Sequence, residues 1–327
     1  MIESPIIVLG VPRSGTTLVQ RCLSLHPDLW SLPAESHRIL EGPFHPARSG
    51  YESNRVTADA LTEPLAAQLR ARFFSSAINL NRVVRDPSPL SSAGSVTGRA
   101  LTRAAVLALG ATSRLRKPGR IRFLEKTPKN VLRIPMLAAL FPDARFLWLR
   151  RDPVANIASL VRGWYSIDRV GPFRRERFAT YPIAGALELH DYASEWWKFA
   201  LVPGWRSLHG TTVADVAVRQ YRECERHARI DLGGLDEKRV FCLRFEDLLG
   251  RRDDAIRDIL RWAGLARSET VEDFARRLPA VNRTGAIHGL AARDDGVERR
   301  VAAALERCPL ASDPDARPRH DAAIVGS

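Results

Sequence analysis

The sequence predicts an α/β protein built on a mostly parallel sheet with helices on both sides. Short apolar runs rich in β-branched and aromatic residues recur along the chain, as in strands buried on both faces of a sheet. A loop and then a stretch with helical spacing of apolar residues follow most of these runs, which is typical of βαβ units. Ligands of such sheets bind beside the carboxyl ends of the strands, so the residues that directly follow each run are the first candidates for a site.

The individual elements follow from these patterns. Strands are predicted at 6–10, 122–126, 145–150 and 239–243, and helices at 17–25, 132–141, 153–161 and 254–262. Pro135 is expected in a first helical turn or at a kink. Asp152 is expected to cap the helix that Pro153 opens, because an aspartate oxygen accepts a hydrogen bond from the first helical turn.

Two segments, about 43–120 and 163–235, fall outside this alternation. Helices are predicted in them near 58–74, 99–110, 187–199 and 212–229, and residues 86–98 are rich in Ser, Gly and Pro. We interpret both segments as helical cap insertions of a single domain that spans residues 1–310. The composition of residues 311–327 predicts a disordered tail.

Composition excludes several classes of protein. Of 327 residues, 45% are hydrophobic and 27% charged, which is ordinary for a globular domain, and neither a membrane span nor a signal peptide is predicted. A cytoplasmic protein is therefore expected. The formal net charge is +13, but the 45 arginines and five lysines are spread along the chain, which favours a general arginine bias and a phosphate-binding site over nucleic-acid binding. The four cysteines and eight histidines show no metal-ligand spacing, so no metal is expected.

A phosphate-binding loop is predicted directly after the first strand. The sequence from Gly10 to Thr17, GVPRSGTT, joins that strand to a helix, so that backbone N–H groups point at an anion. The candidate binding residues of this loop are Arg13, Ser14, Gly15, Thr16 and Thr17. Thr16 stands where nucleoside triphosphatases of this loop type have a lysine, which argues against ordinary ATP or GTP hydrolysis.

Residues 12–18 resemble the 5′-phosphosulfate loop of sulfotransferases that use 3′-phosphoadenosine 5′-phosphosulfate (PAPS). A second match supports the resemblance: Arg151 ends a predicted strand and Ser159 follows eight residues later on a helix, as in the arginine–serine pair that holds the 3′-phosphate in that family. Residues 125–130 match the family's strand-end lysine, and residues 243–248 match a stretch that we interpret as structural. The resemblance runs from residue 5 to about 285 and is nearer to the bacterial branch and the tyrosylprotein enzymes than to the cytosolic phenol and steroid enzymes.

The resemblance implies in-line transfer of a sulfuryl group from PAPS to a hydroxyl or amine, which releases adenosine 3′,5′-bisphosphate and needs no metal. It implies that Arg13 stabilises the leaving phosphate and that Lys126 is a second cation, whereas Lys129 is expected on the surface. Arg283 is a candidate third contact to the donor.

The resemblance offers more than one candidate for the general base. Pro128 stands where the cytosolic enzymes have a histidine. Glu35 matches a glutamate of the tyrosylprotein enzymes if a one-residue slip is allowed, and we prefer it as the base. His37 as the base, and a capping or surface role for Glu35, stay open.

The sequence leaves two alternative functions open. One is a P-loop kinase or nucleotide hydrolase, and another is a non-catalytic nucleotide-binding protein on the same fold. The acceptor can be a small molecule, a glycan, a lipid or a peptide, and the oligomeric state is open. Several aromatic residues either line an acceptor pocket or belong to the core, namely Trp164, Tyr165, Trp196, Trp197 and Trp205.

Overall fold

The fold centres on a five-stranded parallel sheet. The computed structural model describes residues 1–81, 117–165, 180–183, 187–278 and 296–310. Its strands are β1 (Ile2–Leu9), β2 (Leu29–Ser31), β3 (Ile121–Lys126), β4 (Arg145–Arg150) and β5 (Val240–Arg244), and their order across the sheet is β2-β3-β1-β4-β5. All four neighbouring pairs are parallel, which confirms the predicted α/β class.

Both faces of the sheet are buried, which explains why its central strands are continuous apolar runs. Along β1, Ile7 and Leu9 face one hydrophobic core, whereas Ile6 and Val8 face a second core on the other side. Because successive side chains of a strand point to opposite faces, a strand covered on both sides has no position left for a polar residue. Polar residues therefore collect at the strand ends.

The described residues form ten α-helices on the two faces of this sheet. They are α1 (Thr16–Leu23), α2 (His37–Phe44), α3 (Glu63–Ser76), α4 (Ile134–Leu140), α5 (Pro153–Tyr165), α6 (Val213–Gly233), α7 (Phe245–Gly250), α8 (Arg252–Ala263), α9 (Glu269–Arg276) and α10 (Val297–Arg307). Helices α1 and α7–α9 pack against the face of Ile6, and the other six pack against the face of Ile7. None of these helices has the length and apolar character that crossing a membrane requires.

Most of the predicted helices are present, with boundaries shifted by a few residues. Asp152 caps α5 as predicted, since its Oδ1 accepts a hydrogen bond from the backbone N–H of Ala155 at 2.8 Å. Pro135 is the second residue of α4, in the first turn. The short strand β2 and helices α2, α7, α9 and α10 were not predicted. The predicted helix at 99–110 and the tail beyond residue 310 lie outside the described residues.

The predicted helix at 187–199 is wrong. The chain there is irregular, with positive φ at Glu188 and Phe199. Its aromatic residues are fixed by tertiary packing: Trp197 exchanges backbone hydrogen bonds with Tyr181, and its ring lies 5.2 Å from that of Trp164. These contacts outweigh local helix propensity, which is a weak determinant when a large aromatic side chain is buried.

The aromatic residues proposed for an acceptor pocket belong mainly to the core. Trp164, Trp197 and Trp205 are buried in the hydrophobic core on the Ile7 face. Tyr165 packs against that core and hydrogen-bonds Asp191 through its hydroxyl, and Trp196 is partly exposed. Four of the five therefore have a packing role.

Candidate functional site

The loop between β1 and α1 has a strained backbone. Arg13 has φ of +75° and Gly15 has φ of +104°, both in the left-handed region. A Cβ atom at Gly15 would lie 2.4 Å from a ring carbon of Phe245, so that only glycine fits. A bulky residue such as arginine adopts positive φ at a cost, and such strain is commonly found at binding sites.

Two arginines and a serine converge above this loop. Arg13 Nε donates a hydrogen bond to Ser159 Oγ at 3.3 Å, and Arg151 Nη1 donates to the backbone oxygen of Arg13 at 3.0 Å. Burial lowers the pKa of both guanidinium groups. Within the described parts of the chain neither arginine forms an ion pair with a carboxylate. Two neighbouring cations that form no ion pair among the described residues favour the binding of an anion.

The remaining loop residues support that interpretation. The Ser14 hydroxyl is buried and has no hydrogen-bond partner in the part of the chain that the structure describes. Thr16 and Thr17 open α1, whose N-terminus favours negative charge. The Asn156 side-chain amide donates to the backbone oxygen of Pro12 at 3.0 Å, which fixes the loop against α5.

A second charged group lies at the end of β3, beside the same loop. Lys126 Nζ donates to Thr17 Oγ1 at 3.2 Å and forms an ion pair with Glu35. The other carboxylate oxygen of Glu35 is 2.9 Å from His37 Nε2. Burial disfavours the charged carboxylate, but the His37 hydrogen bond and the Lys126 charge outweigh it and lower the pKa of Glu35 to about 2. The structure thus brings together Glu35 and His37, the two candidates for the general base, with Lys126, the predicted second cation.

The residues next to Glu35 and Lys126 hold this pair in place. The backbone N–H of Ser36 donates to Thr127 Oγ1 at 2.8 Å, and the Thr127 hydroxyl donates to Glu125 at 2.7 Å. The Asn130 amide donates to the same carboxylate oxygen at 3.0 Å. Burial raises the pKa of Glu125, which is enclosed by these partners. The hydrogen bond between Ser36 and Thr127 therefore holds the segment that contains Glu35 against the end of β3.

Lys129 is buried, which corrects its predicted place on the surface. Only 2% of the residue is exposed, its Nζ lies 3.6 Å from Glu41 Oε1, and its ammonium lies 4.0 Å from the ring centroid of Tyr181. Glu41 also pairs with the fully buried Arg133 at 2.7 Å. A carboxylate and an aromatic face compensate the buried ammonium. Burial still lowers the pKa of Lys129 to about 7, opposed by the charge of Glu41.

Phe245 and Glu246 contribute to the site, although sequence reasoning gave their segment a structural role only. The Arg151 guanidinium lies 5.3 Å from the Phe245 ring centroid, within the range of a cation–π contact. The Glu246 carboxylate accepts a hydrogen bond from the backbone N–H of Asp152 at 2.9 Å. Their position directly after β5, at the same edge of the sheet as the phosphate loop, was the available signal.

Two further predictions concern ligands. Arg283 lies outside the described residues. The described part of the chain contains no group of three or more His, Cys, Asp or Glu side chains placed to hold a metal ion.

Comparisons with known proteins identify the family. A sequence model of the sulfotransferase family matches residues 5–200. This segment contains the phosphate loop, Glu35, Lys126, Arg151 and Ser159. The chain belongs to the sulfotransferase family.

The individual proteins that resemble this chain have low sequence identity to it. The chain is 27% identical to the nodulation protein NoeE of Sinorhizobium fredii over 158 residues, which are 48% of this chain and 31% of NoeE. It is also 27% identical to a protein-tyrosine sulfotransferase of Drosophila melanogaster over 163 residues, which are 49% of this chain and 26% of that protein. The matches therefore span less than a third of the length of these relatives. A solved sulfotransferase domain from the curacin biosynthetic pathway matches with a TM-score of 0.46 and 14% identity, covering 93% of this chain and 98% of that domain.

Proposed function

We propose that this protein transfers a sulfuryl group from PAPS to a hydroxyl or amine of an acceptor. The observation that carries the proposal is the placement of two groups at one edge of the sheet. Arg13, Arg151 and Ser159 form a candidate anion site in which neither arginine has an ion pair within the described ranges, and Lys126 with Glu35 lies beside the same loop. The first group suits the phosphates of the donor, and the second provides a cation and a proton acceptor next to them.

The residues of the loop fit a donor with two anionic ends. When bound, PAPS supplies the sulfuryl group and leaves as adenosine 3′,5′-bisphosphate. Arg151 and Ser159 are proposed to hold the 3′-phosphate, while Ser14, Thr16, Thr17 and the backbone at Gly15 hold the 5′ end. Arg13 and Lys126 stabilise the negative charge that develops on the leaving 5′-phosphate oxygen. Arg283 is proposed as a third donor contact.

Glu35 is proposed as the general base. It accepts the proton of the acceptor group while the acceptor atom forms its bond to sulfur and the bond between sulfur and the 5′-phosphate oxygen breaks. His37, bonded to the other carboxylate oxygen, orients the base. Positioning and charge stabilisation supply the rest of the rate, as in phosphoryl transfer.

The acceptor is proposed only as a class of compound. A small molecule, a glycan, a lipid or a peptide qualifies, and the Drosophila relative, a protein-tyrosine sulfotransferase, adds support for a peptide. A single domain over residues 1–310 and a bacterial, cytoplasmic protein stay predictions.

Calorimetric titration with adenosine 3′,5′-bisphosphate, with ATP and Mg²⁺ in parallel, tests the donor site. We expect the bisphosphate to bind, and we expect Arg151→Ala and Ser159→Ala to weaken binding, the arginine variant by at least about tenfold, because a charge-assisted contact to phosphate is lost. Arg261→Ala is the matched control, since that arginine is exposed and pairs with Asp258 on the surface of α8.

Two results would contradict the proposal. Binding of ATP with Mg²⁺ and none of the bisphosphate would instead indicate phosphoryl transfer. Equal affinities in the Arg151, Ser159 and Arg261 variants would show that the anion binds elsewhere.

A further inference from the structure

Lys126 connects the phosphate loop with the candidate base. Its Nζ donates to Thr17 Oγ1 at 3.2 Å and is paired with Glu35, and only 3% of its side chain is exposed. An anion held by the loop would lie beside Thr17, where it competes with Glu35 for the same ammonium group. One cation therefore serves two anions that occupy neighbouring positions.

The contacts of Glu35 make it a weak base in the structure. Burial raises the pKa of the carboxyl, but the His37 hydrogen bond and the charge of Lys126 together lower it to about 2. A carboxylate with so low a pKa has little driving force to take a proton from a hydroxyl group. The proposed chemistry thus needs a change in the surroundings of Glu35 before the proton is transferred.

The other titratable groups near Glu35 have contacts that a bound anion would not replace. His37 and Glu41 face it from α2, with His37 Nδ1 3.8 Å from Glu41 Oε1. Glu125 on β3 and Lys129 in the segment after β3 both interact electrostatically with Glu35. Glu41, Glu125 and Lys129 are buried and have other partners, whereas His37 is partly exposed and lies between Glu35 and Glu41. Lys126 is the group whose partner an incoming anion replaces.

On the basis of the proposed function, we propose that an anion bound in the phosphate loop draws Lys126 away from Glu35 and so makes Glu35 able to accept a proton. The base then becomes competent only when the donor site is filled. His37 keeps its hydrogen bond and holds the carboxylate in position during the exchange. The acceptor would consequently be deprotonated only after donor has bound.

Two electrostatic effects act in the same direction. Loss of the ammonium partner raises the pKa of Glu35, and so does the approach of a second negative charge. Because coupling between two binding events is reciprocal, Glu35 must in turn weaken the binding of the anion. Removal of the carboxylate is thus expected to tighten binding at the phosphate loop, which a purely structural role of Glu35 does not predict.

A double-mutant cycle measures this coupling with adenosine 3′,5′-bisphosphate as the probe, which carries no group to transfer. Titration calorimetry compares wild type, Glu35→Gln, Lys126→Met and the double variant. We expect Glu35→Gln to bind the bisphosphate about tenfold more tightly than wild type, and the gain to fall below about threefold in the Lys126→Met background. Circular dichroism establishes that each variant is folded, and Glu35→Ala repeats the comparison with a second replacement.

Proton uptake gives an independent measurement. If binding raises the pKa of Glu35, wild type takes up protons that Glu35→Gln does not take up, and at about pH 5 the difference amounts to some tenths of a proton. Titrations in two buffers with different ionisation enthalpies give this number. At about pH 8 the difference vanishes, because the carboxyl is then ionised in both states.

The outcomes separate the inference from the proposed function. If wild type does not bind the bisphosphate, the proposed function is wrong. If wild type binds it, but Glu35→Gln binds equally or more weakly and no Glu35-dependent proton uptake occurs, the coupling through Lys126 is wrong and the donor site stands.

Discussion

Lys126 and Lys129 lie three residues apart and are both buried, yet they have different partners. Lys126 faces the phosphate loop and Glu35, whereas Lys129 faces Glu41 and the ring of Tyr181. The difference follows from the turn after β3, where residues 128–132 form a short 3₁₀ helix that directs Lys129 away from the sheet edge. Of these two lysines, only Lys126 therefore contacts the phosphate loop.

The pKa of Lys129 leads to a prediction about stability and pH. An unfolded lysine keeps its ordinary pKa of 10.5, whereas burial lowers the pKa of Lys129 to about 7 in the folded protein. Between these values the unfolded chain binds one more proton than the folded chain, so the contribution of Lys129 to the free energy of unfolding rises with pH. We expect the stability of wild type relative to Lys129→Met to rise by about 1 kcal/mol per pH unit from about pH 7 to 9.

Urea denaturation at several pH values across this range measures the difference, and Lys238→Met, at an exposed position, is the control. A difference that stays constant or falls with pH would show that Lys129 remains protonated in the folded protein.

At the scale of elements, the phosphate loop depends on the contact between Gly15 and the first residue of α7. An added methyl group at Gly15 meets the ring of Phe245 and requires a φ of +104° that alanine adopts with strain. We expect Gly15→Ala to lower stability by about 1–3 kcal/mol and to weaken bisphosphate binding by at least about tenfold. Thermal unfolding and calorimetry measure the two effects.

Gly50→Ala is the matched control for this substitution. Gly50 also has positive φ, +61°, but no heavy atom lies within 4 Å of the added methyl group. Gly50→Ala therefore has the conformational cost of a positive φ, about 1 kcal/mol, but no steric clash. Equal losses in both variants, with bisphosphate binding intact, would show that the contact with Phe245 does not shape the loop.

The sequence predicts those elements whose residues show strong local patterns. The runs that became β1, β3 and β4 are buried on both faces over most of their length, and the Asp152–Pro153 pair marks the start of α5 through a cap that needs no distant partner. The strand β2 has only three residues, and its pairing with β3 determines it. Its periodicity is too short to be recognised in the sequence.

The candidate site likewise contains residues that the sequence predicts and contacts that it does not. Arg13, Arg151 and Ser159 are predictable because a local motif and the position after a strand place them together. The burial of Lys129 is not, since it depends on Glu41 from α2 and on Tyr181, which is 52 residues away. The contact of Phe245 with Gly15 likewise joins residues 230 positions apart in the chain.

At the scale of the whole molecule, one buried cluster joins segments that are distant in sequence. Glu41 on α2 accepts hydrogen bonds from Arg133, just before α4, and from the Tyr181 hydroxyl at 3.1 Å. The Asn54 amide donates to the same hydroxyl at 2.6 Å. His37 connects this cluster to Glu35, because its Nδ1 lies 3.8 Å from Glu41 Oε1. The cluster therefore supports the candidate site as well as the packing of the described cap residues on the sheet.

Arg133 therefore contributes far more to stability than an exposed arginine with the same pairing distance. Arg133→Met leaves Glu41 in the interior without its closest cation, and we expect a loss of about 3–5 kcal/mol in the free energy of unfolding. Arg120 pairs with Glu3 at 2.8 Å, close to the 2.7 Å of Arg133 and Glu41, but its side chain is 75% exposed. Water solvates and screens that pair, so Arg120→Met is expected to cost less than about 1 kcal/mol. Urea denaturation of both variants compares two ion pairs that differ chiefly in burial, and similar losses would mean that the cluster around Glu41 does not hold these segments together.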